Sequence, residues 1–182
     1  MCAAVTVGTG SHSPRADSED KNMIITGVLK LEEGFRARPY KDSLGYVTIG
    51  YGTKVHMDRL LSAERFLIEV TPEQAELWLL RDLASMEKGI RNSHVLGIYE
   101  DAIEGNVARR AVILSMCYQM GVQGVLKFHD MWAALAVFNY DAAAAAMLHS
   151  TWAEQTPERA ERHAALMRGA NVVYHYPQLG NL

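Results

Sequence analysis

Two carboxylates and a hydroxyl stand close together near the start of the chain: Glu33, then Asp42 after eight residues, then Thr48 after five more. Such an acid pair can cleave a glycosidic bond. One carboxyl protonates the leaving sugar oxygen, while the other activates water or attacks the anomeric carbon. The surrounding pattern puts the two acids on different elements. Glu33 closes an apolar-periodic stretch, Ile24, Ile25, Val28, Leu29 and Leu31, which reads as a helix. Asp42 enters the turn Asp42-Ser43-Leu44-Gly45 between two short strand-like runs. A helix end facing a hairpin can set two acids on opposite sides of a cleft. Each side chain also has an ordinary reading. Asp and Gly at the first and fourth positions suit a type I turn. A Glu near a helix end is commonly solvated, and Thr48 between Val47 and Ile49 suits a strand.

Local signals mark the elements that must carry these residues. Residues 1–22 are rich in Gly, Ser, Thr and charge, contain Pro14 and show no periodicity, so they read as a disordered extension. The first helix is expected over 23–33, and a glycine-rich hairpin or small meander over 38–52. Thr71-Pro72-Glu73-Gln74 is a strong helix start, with Thr71 as N-cap, Pro72 in the first position and Gln74 closing a capping box. The helix that follows carries Ala75, Leu79, Asp82, Leu83 and Met86 on one side and is expected to run to about Arg91. Ala108–Met120 is almost wholly apolar after Arg110, which predicts a buried central helix broken by Gly121 and Gly124. Shorter helices are expected at Lys127–Phe138, Asp141–His149 and Pro157–Arg168, the last capped by Thr156.

Composition narrows the function. A chain of 182 residues, nearly half of them apolar, suits one domain or two small lobes sharing a core. The net charge of −3 is spread evenly with no basic run, so nucleic acid is not an expected partner. No stretch approaches the ~20 apolar residues of a membrane span, and no secretory signal core is visible at the N-terminus. Cys2 and Cys117 are not expected to pair, and Cys117 reads as a buried, inert thiol. The seven histidines form no His-Glu-x-x-His, and no Cys-x-x-Cys or Gly-x-Ser-x-Gly occurs, so neither a metal, a cofactor nor a serine nucleophile is expected. Met116, Met120, Met131 and Met147 read as core fillers.

Three ordered blocks carry a family likeness. Glu33-Gly34, Tyr40-Lys41-Asp42 and Gly45-Tyr46-Val47-Thr48-Ile49-Gly50-Tyr51-Gly52 together resemble the active-site signature of the bacteriophage lysozymes, glycoside hydrolase family 24. Arg109-Arg110-Ala111 with Tyr118-Gln119-Met120-Gly121 is similar to that family's central helix and the cleft residues at its end. Trp152-Ala153-Glu154-Gln155-Thr156-Pro157-Glu158-Arg159-Ala160-Glu161-Arg162 is similar to its W-x-x-Q-T-P-x-R-A-x-R segment. Two departures stand out: Thr53 follows Gly50-Tyr51-Gly52 where the family often has His, and residues 53–106 match poorly.

The resemblance implies an α+β fold, with a small β-containing lobe (about 34–75) and a larger helical lobe (23–33 plus 92–182) joined by a long helix (about 72–91). It implies a muramidase that hydrolyses the β-1,4 bond between N-acetylmuramic acid and N-acetylglucosamine, acting as a monomer on the peptidoglycan glycan strand. Glu33 would be the general acid, with Glu32 its nearest competitor; Asp42 and Thr48 would manage the water or the developing charge. Tyr118, Gln119, Thr156 and Arg159 would meet the substrate, and Arg159 would pair with Glu33. A lytic transglycosylase, or an inactive wall-binding module, is the alternative. A phage enzyme of this type would accumulate in the host cytoplasm and reach the periplasmic wall through a separate pore.

Overall fold

In a computed structural model that describes residues 14–56 and 58–181, Thr71 opens a helix as its sequence requires. Its hydroxyl accepts from Gln74 N at 3.3 Å, and Gln74 Oε1 accepts from Thr71 N at 3.0 Å, so two otherwise unpaired N–H groups are satisfied. The first helix, α1, is Pro14–Glu33, and the helix that Thr71 opens is α2, Pro72–Arg91. The 20 residues of α2 give it a length of ~30 Å. It buries Ala75, Leu79, Leu83 and Ile90, while Asp82 and Met86 are half-buried on its flank.

Between the two long helices lies a three-stranded antiparallel sheet in the order β1 (Arg36–Lys41), β2 (Val47–Gly50), β3 (Thr53–His56). Tyr40 pairs with Thr48 across β1–β2, and Thr48 with Lys54 across β2–β3. Every residue of the central strand is buried. Gly50 ends that strand at φ 66°, and a Cβ there would sit 2.8 Å from Ala75 Cβ. A side chain at position 50 would push the sheet off the first turn of α2.

The rest of the chain is helical: α3 (Leu96–Tyr99), a π-helical turn (Glu100–Glu104), α4 (Val107–Met120), α5 (Val122–Leu126), α6 (His129–Leu135), α7 (Tyr140–Leu148), α8 (Thr151–Gln155), α9 (Pro157–Arg168) and α10 (Val172–His175). Asn106 caps α4, accepting from Arg109 N at 3.0 Å. Ala111 to Cys117 are buried without interruption, which makes α4 the core around which α1, α2, α5 and α9 pack. Met116, Met131 and Met147 are buried and Met120 half-buried. The Cys117 thiol is free, and burial pushes its pKa up to about 12. A small antiparallel sheet beside a larger helical region makes this an α+β fold.

Four expectations need correction. Gly121, at φ 78°, ends α4, but Gly124 breaks nothing, since it lies inside α5. Residues 14–22, assigned to a disordered extension, continue α1; residues 1–13, with Cys2, lie outside the described part. The added turns have no apolar face, but Arg15, Ala16, Glu19 and Lys21 are good helix formers, and Asp17, Glu19 and Asp20 suit the positive N-terminal end of a helix. The helix expected at Lys127–Phe138 is shorter, His129–Leu135. Thr156 does not cap α9 with its side chain; its hydroxyl donates back to Trp152 O at 2.9 Å, because the short helix α8 ends there.

The buried Thr26 hydroxyl donates to Asn22 O at 2.6 Å. Removing residues 1–22 therefore strands a buried donor, at a cost of about 1–3 kcal/mol. Removing 1–21 spares it. The longer truncation is expected to melt at least ~2–4 °C below the shorter one. Equal melting temperatures would show that this hydrogen bond contributes nothing.

Candidate active site

Glu33 is the last residue of α1, and one oxygen of its carboxylate is held by a charge-assisted hydrogen bond. Arg159 Nη2, from the first turn of α9, donates to Glu33 Oε1 at 2.5 Å. The other oxygen, Oε2, faces Gly52 in the turn between β2 and β3, 3.6 Å from where a Cβ would stand. That Cβ would also meet the Tyr118 ring at 3.3 Å, and φ 93° strains any side chain there. Gly52 thus leaves the space in which Glu33 and Tyr118 come together. The Tyr118 hydroxyl donates to Tyr51 O at 2.7 Å, which ties the end of α4 to the same turn.

Asp42 sits in the β1–β2 turn with its carboxylate oriented by the backbone. Leu44 N and Tyr46 N both donate to Oδ1, at 2.9 and 2.8 Å. Among the described residues, Oδ2 takes no hydrogen bond. Thr48 lies 2 % exposed on β2, and its hydroxyl donates to Tyr46 O at 3.2 Å, leaving the oxygen's lone pairs free to accept. Tyr40 links the three. It pairs with Thr48 in the sheet, and its phenol is shifted upward by burial first; past the opposing Arg36 cation, Glu33 and Asp42 add to the rise. Both acids therefore lie within electrostatic reach of one hydroxyl. The spacing of the sequence had assigned Tyr40 no role. Tyr118 feels the same centre: burial, with the charges of Glu33 and Asp82, holds its hydroxyl well above the usual phenol range.

A cleft of about 590 Å³ opens beside this centre, lined by Leu44, Gly52, Lys54, Arg81, Tyr118 and Gln119 among others. Gln119 is exposed there, with its Oε1 accepting from Trp152 Nε1 at 2.7 Å, so its amide N–H₂ points free of that bond. Thr156 and Arg159 lie behind the cleft lining. Thr156 is bonded to Trp152 O, and the Arg159 side chain is only 9 % exposed.

The neighbouring Glu32 has a different environment. Its side chain is 5 % exposed, against 19 % for Glu33. Arg162 donates to it through Nε at 3.0 Å and Nη2 at 2.9 Å, Tyr176 through its hydroxyl at 2.5 Å. Arg159 Nε stands 3.4 Å from Oε2, close enough for charge though not aligned as a hydrogen bond. Burial pushes the Glu32 carboxyl up, but the bonds from Arg162 and Tyr176 and the Arg159 charge outweigh it, so it lies below its ordinary value. A carboxylate so enclosed has no proton to give and no open face. Tyr176 had been given no part from the sequence, and Arg162 stood only within the family-like segment, without a role; the Arg159-x-x-Arg162 spacing, which puts both guanidiniums on one face of a helix, was the physical signal for it.

Comparison with known proteins places the chain in a family. The phage lysozyme family matches the chain over residues 30–168. The pre-baseplate central spike protein Gp5 of Enterobacteria phage T4 is 30 % identical over 169 residues, 85 % of this chain and 29 % of that protein, so the chain spans less than a third of its length. A probable T4-type lysozyme of Dictyostelium discoideum is 30 % identical over 155 residues, 76 % of this chain and 89 % of that protein. The peptidoglycan hydrolase gp36 of Pseudomonas phage phiKMV is 31 % identical over 130 residues, 71 % of this chain and 13 % of that protein.

Glu32 gives a pH test with a definite sign. Its folded pKa is depressed, so the stability it contributes is present above the unfolded value of ~4.3 and is lost as pH falls through the folded value. Glu32→Gln is expected to melt well below wild type at pH 7, and the gap should close as pH drops below ~4. A gap that stays constant down to pH 2 would contradict a charged Glu32.

Arg159→Ala removes the shared cation from two carboxylates and is expected to cost about 3 kcal/mol in urea unfolding at pH 7. Arg159→Lys should recover little of it, since a point charge cannot reach both partners as a planar fork does. A wild-type midpoint in Arg159→Ala would reduce Arg159 to a bystander, and one in Arg159→Lys would show that charge alone suffices.

Proposed function

Since the chain belongs to the phage lysozyme family, we propose that it is an endolysin-type muramidase, which hydrolyses the β-1,4 bond between N-acetylmuramic acid and N-acetylglucosamine in peptidoglycan with inversion at the anomeric carbon. The observation that carries this reading is the pair of acids in different settings around Tyr40: Glu33 at a helix end beside Gly52, and Asp42 in a turn with one oxygen free. The name of the phiKMV relative, a peptidoglycan hydrolase, supports the substrate.

On this reading Glu33 gives its proton to the glycosidic oxygen as the bond to the anomeric carbon breaks. Asp42 Oδ2 accepts one hydrogen of a water on the opposite face of the sugar. Thr48 has spent its own proton on Tyr46 O, so its oxygen accepts the water's other hydrogen. The water is left with a lone pair aimed at the anomeric carbon. Oδ1 of Asp42 is fixed by two backbone N–H groups, which keeps the base from turning with its substrate. Gln119 offers its amide and Tyr118 its ring edge to the sugar, while Thr156 and Arg159 support the wall behind them.

Purified protein is expected to lyse bacteria whose outer membrane has been permeabilised. Glu33→Gln, which keeps the shape but has no acidic proton, should lower the rate about 100-fold or more. The first product should be the α-anomer with a hydrated reducing end, since inversion, which in general requires carboxyls ~6.5–9.5 Å apart, delivers water to the opposite face of the sugar. Near-wild-type lysis by Glu33→Gln would remove the acid from its role. A β-anomer would overturn inversion, and a product lighter by one water would identify a transglycosylase instead.

A further inference from the structure

The polar side chains behind Glu33 do not stop at Arg159. Glu32, which shares that guanidinium, accepts from the Tyr176 hydroxyl at 2.5 Å. Tyr176 in turn lies 3.4 Å from Nδ1 of His163, and Nε2 of His163 lies 2.8 Å from Ser115 Oγ. His163 and Ser115 are both fully buried, among the few polar residues within a predominantly apolar core. None of the histidines had been given a part by sequence spacing. A Ser–His pair suggests a nucleophile, but neither side chain has any exposed surface, so no substrate can reach it.

Counting protons along the row fixes each hydrogen bond. Glu32, ionised between Arg162 and Arg159, can only accept. Tyr176 therefore spends its one hydrogen on Glu32, and its oxygen can only accept from the other side. Nδ1 of His163 must then carry the imidazole proton, and Nε2 must accept the hydrogen of Ser115. One neutral tautomer satisfies every partner. Protonation would break the arrangement: Nε2 would become a donor, and a third positive charge would join Arg159 and Arg162. The groups facing the ring agree. They are Ser115 from α4, Glu32 from α1, Arg159 and Arg162 from α9, the Trp152 ring at 6.0 Å from α8, and Tyr176. Burial, then the Arg159 charge, pushes the His163 pKa down to about 3.

We propose that His163 is a positioning residue for the acid: anchored by Ser115, its Nδ1–H fixes the Tyr176 hydroxyl against Glu32, and Glu32 fixes the Arg159 fork that carries Glu33. This rests on the muramidase reading for its consequence, since what is positioned is the proton donor. The hydrogen bonds themselves do not depend on that reading.

Two measurements test it. Nitrogen-15 NMR of the His163 ring in the wild-type protein is expected to show a protonated Nδ1 and a bare Nε2, unchanged from pH 8 to pH 5. A protonated Nε2, or titration near the ordinary ~6.5, would overturn the proposal. In kinetics on soluble peptidoglycan fragments, His163→Leu and Tyr176→Phe should each lower kcat about tenfold with KM within about twofold of wild type, as expected for a displaced acid. Ile90→Ala, a core variant on the far end of α2, should lower the melting temperature without that loss of kcat. If His163→Leu fails to fold, Tyr176→Phe tests the row from its other end with the ring retained. A folded Tyr176→Phe with wild-type kcat would overturn the proposal. If the wild-type protein releases no muropeptide, the muramidase reading fails, and the tautomer measurement, which needs no substrate, decides the His163 arrangement separately.

Discussion

The placing of Glu33 depends on one guanidinium held between two adjacent glutamates. Glu32 and Glu33 stand at the C-terminal end of α1, where unpaired carbonyls already concentrate negative potential. Two carboxylates there would repel each other and the helix end, so cations are needed close by. Arg159 serves both, Arg162 serves Glu32, and Lys30 lies in the same last turn, paired to Glu76 of α2. Successive helical residues point about 100° apart, so the two acids diverge. Glu32 turns into the helical region, where it is wrapped in donors and ionised. Glu33 turns toward the sheet, where one oxygen is held by Arg159 and the other faces Gly52. The difference in role is a difference of one position along a helix.

The sheet contributes by being pinned rather than by being large. Gly50 lets β2 close onto Ala75 at the start of α2, and the Tyr118 hydroxyl fastens the following turn to the end of α4. The β2–β3 turn is thus attached to both long elements that cross the molecule. Asp42, in the other turn, needs no partner from elsewhere, because the backbone N–H groups of its own loop orient it. One acid is positioned by tertiary contacts and the other by local geometry. Substitutions distant in sequence should therefore disturb Glu33 far more than Asp42.

What could be read from the sequence follows the same division. The bounds of α2 were legible because a capping box is a four-residue statement. The Asp42 turn was legible for the same reason. Residues 14–22 were misread because their helix rests on propensity and charge, without the apolar stripe that signals one. Thr156 was misread because a Thr before Pro resembles a cap, and the five-residue helix α8 that claims its hydroxyl is too short to show periodicity. The pairing of Arg159 with Glu33 came from family likeness rather than from spacing. Arg162, Tyr176 and His163 gave almost no signal, because a buried ionic row is assembled from four separate elements and leaves no local pattern.

That assembly has a consequence for the order in which the molecule can become competent. The hydrogen bond from Arg159 to Glu33 joins residues 126 apart in sequence, and that from Tyr176 to Glu32 joins residues 144 apart. Contacts of such long range close late, since the intervening chain must first lose its freedom. A ribosome-bound chain that has emerged through α4 and α7 already carries Glu33, Asp42, Thr48, Tyr118 and Gln119. It lacks the cations that balance the end of α1. Such a chain would hold Glu32 and Glu33 side by side without Arg159 and Arg162 until α9 arrives. Synthesis of α9 and of Tyr176 is thus the step that completes the ion pairs and hydrogen bonds around Glu32 and Glu33.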